Sequence, residues 1–462
     1  MLPTTIAAIA TPSGRAGIGV VKASGPSAIE AALSIFRPKG FPASPPGSSW
    51  VPVSRHLYYG HVVEPHSQKC LDEVMFVAMP GPNSYTGEDV AEIQAHSGPV
   101  GLRFILELLL QQGIEMAGPG EFTRRAFLNG RMDLTQAEAV MDLINARSER
   151  ALGLAMQQLS GELSSEVCGI RNFLVEFAAQ LEAGIDFPDD VQGSPSLDCL
   201  ADRLMNQALY PIQQLIQQHE DCSFLKDGAR LVIAGSPNVG KSSLLNCLVN
   251  RERAIVTEEP GTTRDLIEEQ FLCQGIPVMV FDTAGVHDHP GRVERIGIDK
   301  AYAQIDSADL VLFVLDSSQP FSPAHSNFLE RIQGKSIFLV LNKTDLNEMV
   351  EIPGKWCHLP MFRISAKFNQ GMGYLKEQLS DFVQGMDNST SDLVVPNLRH
   401  KQALEKARTA IAAVIRGVQE YQPEETIVLD VYEALSSIQE ISGESIKPDI
   451  LEQIFDRFCI GK

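Results

Sequence analysis

The run Gly235-Ser236-Pro237-Asn238-Val239-Gly240-Lys241-Ser242 fits the pattern G-x-x-x-x-G-K-[ST]. An apolar stretch, Leu231–Ala234, precedes it and a helical pattern follows, which is the context a phosphate-binding loop requires. Glycines let backbone N–H groups curl around phosphate oxygens, and a helix N-terminus adds a favourable dipole. Lys241 would contact the β- and γ-phosphates, and the hydroxyl of Ser242, followed by Ser243, would ligate Mg²⁺. Taken singly, the motif also fits an ordinary Gly-rich turn.

Further motifs in the right order remove that alternative. The segment Thr257-Glu258-Glu259-Pro260-Gly261-Thr262-Thr263 ends where a switch threonine would reach Mg²⁺. Asp282-Thr283-Ala284-Gly285 closes an apolar run, so Asp282 can hold Mg²⁺ through water and Gly285 can sense the γ-phosphate. Asn342-Lys343-Thr344-Asp345 closes another. A carboxylate at Asp345 accepts hydrogen bonds from the N1–H and 2-amino groups of guanine, donors that adenine lacks. Ser365-Ala366-Lys367 offers a backbone N–H to the guanine oxygen. Together these residues predict a site for GTP.

These residues need a scaffold. Leu231–Ala234, Val278–Phe281, Leu310–Leu315 and Ile337–Leu341 are near-continuous apolar runs, which suit a parallel sheet covered on both faces. Residues 1–130 read as mixed α/β, with a strand at Val74–Met79, a buried helix at Leu102–Leu110, and loops at Pro42–Gly47 and Pro80–Pro82. Leu134, Ala137, Val140, Met141, Ile144, Ala151, Ala155 and Leu159 recur at helical spacing. Helical patterns continue over Glu162–Glu182 and Leu197–His219, with a loop at Phe187–Pro195. They resume over Arg399–Gln419, Ile427–Ile441 and Asp449–Phe458, after a polar linker at Asp387–Asp392. The economical reading is a helical domain interrupted by an inserted α/β domain. No internal repeats are visible.

Composition excludes several classes. The chain has 462 residues, 44% hydrophobic and 21% charged, enough for several buried cores. It carries no long apolar run that could span a membrane and no secretory or transit signature at Met1–Thr5, so a cytoplasmic location is expected. Eight dispersed cysteines form no Cys-x-x-Cys pair, which argues against a zinc site or a disulfide framework. A net charge of −20 disfavours non-specific nucleic-acid binding, so an RNA substrate would need a local basic patch or a partner.

One part of the hydrolytic machinery is missing from its usual place. Val286 follows Gly285 where Ras-like GTPases put a water-orienting Gln, so the catalytic group must lie elsewhere. The chain resembles the MnmE (TrmE) family of tRNA-modification GTPases. The resemblance rests on Ala10–Gly19, Asn83–Asp89, Pro119–Gly130, the nucleotide motifs, Val293–Gly297 and the terminal Cys459-Ile460-Gly461-Lys462, and it runs end to end.

The resemblance implies a multidomain fold of α/β and all-α parts. Residues 1–130 would be an N-terminal domain like tetrahydrofolate-binding enzymes, through which a homodimer forms. Residues 131–227 and 385–462 would be the halves of a discontinuous helical domain, and 228–384 an inserted Ras-like P-loop domain. It implies a heterotetramer with a flavoprotein partner, MnmG, which alone carries FAD. The complex would add an aminomethyl-type group at C5 of the wobble uridine of tRNA. Carried over by position, Asn238, Thr257, Glu259 and Thr262 would coordinate K⁺, Ser242 and Thr263 would hold Mg²⁺, and Glu294 would orient the attacking water. Lys22, Glu92, Arg131 and Lys462 would contact 5-formyltetrahydrofolate or a related tetrahydrofolate, and Cys459 would lie near it and serve tRNA modification.

Plainer readings stand beside these. Glu294 could pair with Arg292 or Arg295, and Cys459 could be a buried structural thiol. Gly461 and Lys462 do not suit a prenylation box. His287 and His289 read as solvated, Arg124 and Arg125 as ion-paired rather than RNA-binding, and Leu106–Leu110 as core. Competing functions are a ribosome-assembly GTPase of the Era or EngA type, which would carry a KH-like module, and a folate enzyme with a regulatory GTPase insert.

Overall fold

A computed structural model describes residues 4–12, 14–39, 50–146, 148–186, 197–249, 268–273, 276–282, 304–386 and 394–462. These fall into two compact units. One comprises 1–141, 158–211 and 403–462, and the other 142–157 and 212–402.

In the first unit the described residues build a seven-stranded sheet. Its strands are β1 (Ile6–Ile9), β2 (Ala16–Ser24), β3 (Phe36–Pro38), β4 (Tyr58–Val63), β5 (Cys70–Met79), β6 (Val90–Ser97) and β7 (Glu115–Met116), in the order β3-β4-β5-β6-β2-β1-β7. All neighbours are antiparallel except β1 and β7. Helices Ala28–Ile35 and Pro99–Leu110 cover one face. There Val21, Ala23, Phe76, Ile93, Ile105 and Leu109 share a core. Val74–Met79 and Leu102–Leu110 adopt the predicted strand and helix. The other strands were less legible because only one face is buried. In β2, for example, Lys22 alternates with buried Val21 and Ala23, and Gly17 and Gly19 weaken the strand signal.

The same unit contains the helix Glu162–Asp186, which packs along Glu424–Ser442, where the Tyr432 hydroxyl donates to Glu182 Oε1 at 2.6 Å. A smaller core joins Leu134, Ala137 and Val140 to Leu451, Phe455 and Phe458. The pattern over Leu197–His219 resolves into helices Leu197–Leu204 and Tyr210–Asp227 around a widened π-turn at Met205–Leu209. Pro211 explains the turn. It has no N–H for the helical ladder, and its ring would collide with the carbonyl one turn back, so the extra residue relieves the clash.

The second unit is built on a six-stranded sheet of β8 (Ala229–Ala234), β9 (Glu268–Cys273), β10 (Ile276–Asp282), β11 (Leu310–Asp316), β12 (Ser336–Asn342) and β13 (Met361–Arg363). The order is β13-β12-β11-β8-β10-β9. Every pair is parallel except β9 with β10. The continuous apolar runs follow from burial on both faces. Leu231 and Ile233 of β8, with Leu310, Leu312 and Val314 of β11, point into one core. Val232, Ala234, Val311, Phe313 and Leu315 point into another. Truncating any of these leucines to alanine should cost about 2–5 kcal/mol.

Candidate nucleotide site

The parallel strands end at one edge of the sheet, where α/β proteins bind ligands. The loop 235–240 leaves β8 and enters the helix Lys241–Val249. Its glycines are there for close approach. A Cβ on Gly235 (φ +153°) would lie 2.4 Å from the Val314 carbonyl oxygen, and one on Gly240 (φ +96°) would lie 2.3 Å from Asn342 Nδ2. Asn238 is exposed at the loop crest in the left-handed region, φ +63°. Lys241 is buried, and its ammonium donates to the carbonyls of Gly235 (2.9 Å) and Ser236 (3.1 Å), which curls the loop around it. Ser242 and Ser243 lie exposed in the first turn of the helix, and buried Val239 anchors the loop beneath.

The guanine-reading segments meet this loop through one residue. Asn342 ends β12 and is buried. Its Nδ2 donates to the Val239 carbonyl at 2.8 Å, and its Oδ1 accepts the Ala366 N–H at 3.0 Å. The Ser365 hydroxyl donates to Asp345 Oδ1 at 2.6 Å, leaving the exposed carboxylate oriented at the rim. Thr344 N–H donates to the Ile364 carbonyl at 3.2 Å. Lys343 sits at φ +65°, and its ammonium lies 2.6 Å from Asp316 Oδ2. Burial works against ionisation of Asp316, but Lys343 and the hydroxyl and N–H of Ser318 outweigh it and hold the carboxyl below its usual range. Lys367 is exposed beside the ring of Phe368.

Asp282 ends β10 in register with Ile233 of β8, so its backbone reaches the strand edge from which the phosphate loop springs. Its side chain is outside the described residues, as are Thr257, Glu258, Glu259, Pro260, Gly261, Thr262, Thr263, Thr283, Ala284, Gly285, Val286, His287, His289 and Glu294. Among the described residues, the loop and Ser242 suit a nucleoside triphosphate with its Mg²⁺. The steric limits at Gly235 and Gly240 press the loop backbone against the ends of β11 and β12.

The four residues expected to contact folate also come together. Lys22 on β2 lies opposite Glu92 on β6. The Lys22 ammonium stands 4.4 Å from the ring centre of Tyr85 and 5.0 Å from that of Phe122. Burial lowers its pKa, Glu92 opposes that shift, and Lys462 adds to it. Burial raises the pKa of Tyr85, against a hydrogen bond with Thr123 and the charge of Arg131. Lys22 thus senses Glu92 and Lys462, and Arg131 senses Tyr85, whose ring stands beside the Lys22 ammonium. The C-terminal tail reaches them by docking on 119–122. Pro119 bridges Ile460, the Phe122 N–H donates to the Lys462 carbonyl at 3.1 Å, and the Gly120 N–H donates to that of Cys459 at 3.4 Å. Gly461 (φ +95°) permits this, since a Cβ there would lie 2.7 Å from the Ile9 carbonyl oxygen. Cys459 is exposed, so it is not a buried structural thiol.

Sequence reasoning singled out neither Tyr85 nor Phe122, although both lie within stretches that carried the resemblance. Arg125 is ion-paired, as its plainer reading held. It is 1% exposed and bonds Glu88 (3.2 Å) and Glu121 (2.9 Å), with Thr4 O accepting at 2.7 Å. Its neighbour Arg124 is half-buried, its Nε without a partner.

Comparison with known proteins extends over the whole chain. The family "GTP-binding protein TrmE N-terminus" matches residues 5–131, and the "MnmE helical domain" family matches 134–459. A protein named tRNA modification GTPase MnmE from Natranaerobius thermophilus is 41% identical over 466 residues, covering all of both chains. Its namesake from Geobacter metallireducens is 42% identical over 463 residues with the same coverage. The G domain of the T. maritima FeoB iron transporter aligns with 34% of this chain and 99% of its own at 28% identity. Its TM-score of 0.26 is too low to speak to the fold. Full-length relatives at this identity leave no segment of the chain outside the match, and the chain belongs to the MnmE family of tRNA modification GTPases.

Proposed function

We propose that the chain is a potassium-dependent GTP hydrolase that modifies the wobble uridine of tRNA. The observation that carries the reading is the Asn342 carboxamide, which bonds the phosphate loop on one side and the base-recognition loop on the other. Such a joint makes sense where a single ligand presents both phosphates and a base. In the reaction, water attacks the γ-phosphorus, the bond to the β–γ bridging oxygen breaks, and GDP and phosphate leave. Lys241 and the loop N–H groups hold the phosphates, while Asp345 selects guanine and the Ser365–Lys367 backbone lies beside its oxygen. Ser242 and Thr263 would hold Mg²⁺. Asn238, Thr257, Glu259 and Thr262 would hold K⁺. Bound there, the two cations would neutralise charge that develops on the phosphates. Glu294 would position the water in place of the Gln that Val286 replaces.

In the N-terminal part, Lys22, Arg131 and Lys462 are cations suited to the carboxylates of a tetrahydrofolate, and the half-buried Tyr85 offers aromatic surface beside them. A bound folate would supply a one-carbon unit, with exposed Cys459 nearby in sequence to Lys462. The partners belonging to this reading are a second copy of the chain and the flavoprotein MnmG, which brings FAD. The end-to-end family match weighs against an Era-type ribosome-assembly role, as the flanking parts match MnmE families rather than an RNA-binding module.

Two measurements test the proposal. Phosphate release from GTP should require Mg²⁺ and proceed faster in K⁺ than in Na⁺. A strain lacking the gene for this chain should lose the modified wobble uridine and regain it on complementation. Modification that persists in the deleted strain rules the tRNA role out.

A further inference from the structure

The base-recognition motif is in contact with a residue outside every recognised motif. β11 ends at Asp316 and β12 ends at Asn342, in register as parallel neighbours. Beyond that point both chains turn. The Ser317 N–H donates to the Asn342 carbonyl at 2.8 Å, and the N–H groups of Met349 and Val350 donate to the Ser317 carbonyl. Lys343 therefore leaves a fully anchored position, but in the left-handed region, which a lysine rarely adopts.

The carboxylate of Asp316 is divided between two tasks. Oδ1 accepts the Ser318 N–H at 3.0 Å and the Ser318 hydroxyl at 2.7 Å. Those bonds fix the rotamer, so that Oδ2 meets the Lys343 ammonium at 2.6 Å. The carboxylate is little exposed, so water screens the pair weakly. Two residues after Lys343 stands Asp345, itself oriented by Ser365. A lysine held at both its backbone and its ammonium leaves the intervening Thr344–Asp345 segment with few alternatives.

We propose that Asp316 is a positioning residue for guanine-nucleotide binding, acting through Lys343. This rests on the reading of the site as one for GTP and names a further determinant of it. Asp316 touches no nucleotide. It preorganises the loop that does, lowering the ordering cost that binding must otherwise meet.

The test is a double-mutant cycle on the full chain, read by the fluorescence of a labelled GDP. Asp316→Asn keeps the shape and removes the charge. It should weaken binding about tenfold, the expected loss of one charge-assisted hydrogen bond. Lys343→Met should weaken it as well, and the double variant should bind no worse than Lys343→Met by itself, because the two residues act as a unit. A generally destabilising role would instead make the two losses add. Additive losses, a change of less than twofold, or tighter binding by Asp316→Asn would each overturn the proposal. Tighter binding would mean that Asp316 competes with nucleotide for Lys343. Should Asp316→Asn lose its fold by circular dichroism, Ser318→Ala is read instead. It should weaken binding a few-fold, and unchanged affinity overturns the proposal. Failure of the parent chain to bind GDP would contradict the GTPase reading itself and not this inference alone.

Discussion

The Asn342 carboxamide donates to the Val239 carbonyl at 2.8 Å while its oxygen accepts the Ala366 N–H at 3.0 Å. A residue usually read as part of a base-recognition motif thus ties that motif to the phosphate loop. Because Asn342 is buried, removing it strands two polar backbone groups away from water. Asn342→Ala should destabilise this unit by about 1–3 kcal/mol and weaken GTP binding by more than tenfold. Thermal melting and calorimetry together check it, and a variant with parental affinity would show that the two loops are positioned independently.

Asp345→Asn should weaken GTP binding and favour xanthosine triphosphate. The change replaces one carboxylate oxygen by a donor, which faces the 2-amino group of guanine with the wrong polarity but suits the 2-carbonyl of xanthine. The Ser365 hydroxyl can still bond the remaining oxygen, so the loop should keep its shape. Competition binding with the two nucleotides reads the exchange directly. Unchanged preference for GTP would remove Asp345 from base recognition.

Potassium should drive hydrolysis through Asn238. This residue stands exposed on the phosphate loop in a left-handed conformation, with its carboxamide free to turn toward a cation at the phosphates. Asn238→Ala should abolish the advantage of K⁺ over Na⁺ while leaving nucleotide affinity within a few-fold. Turnover of the parent at equal rates in the two salts, at fixed ionic strength, would contradict the potassium site.

Binding of an anionic folate should fall with rising pH earlier than an ordinary lysine would dictate. Burial depresses the pKa of Lys22, with Lys462 adding to the effect and Glu92 opposing it. The ammonium therefore loses its proton below the usual lysine range, and attraction for a carboxylate is lost with it. The sign for folding is the reverse. The unfolded chain holds this proton to higher pH than the folded one, so this group's contribution to stability rises across that window. Lys22→Arg, which stays charged throughout, should carry the affinity to higher pH. Calorimetric titrations with 5-formyltetrahydrofolate between neutral and alkaline pH compare the two, and coincident profiles would exclude Lys22.

Arg125→Ala should be the most destabilising change in the N-terminal sheet domain. It would leave the Glu88 carboxylate, 3% exposed and already with Oε1 unpartnered, as an uncompensated buried charge. Breaking such a pair costs about 3–5 kcal/mol. Denaturant melts should register the loss, and a double change that also replaces Glu88 with Gln should recover part of it. A mild effect in the single variant would mean that Arg125 is not the main counter-charge.

What the sequence determined by itself is local or periodic. The phosphate loop and the base-recognition motifs could be read because each depends on residues adjacent in the chain, at the ends of strands buried on both faces. Alternate members of those strands enter different cores, so burial writes an unbroken apolar run. Tertiary structure decided everything that required distant segments to meet. Lys22 lies between Tyr85 and Phe122 because antiparallel register and the helix Glu121–Leu128 bring three separate stretches together. The tail reaches Pro119–Phe122 because Gly461 can adopt a backbone angle that no periodicity announces. Asp316 and Lys343 meet because their strands end in step. Side-chain chemistry is inherited from the residue type, but proximity across a sheet is set by register, and register is a property of the folded chain.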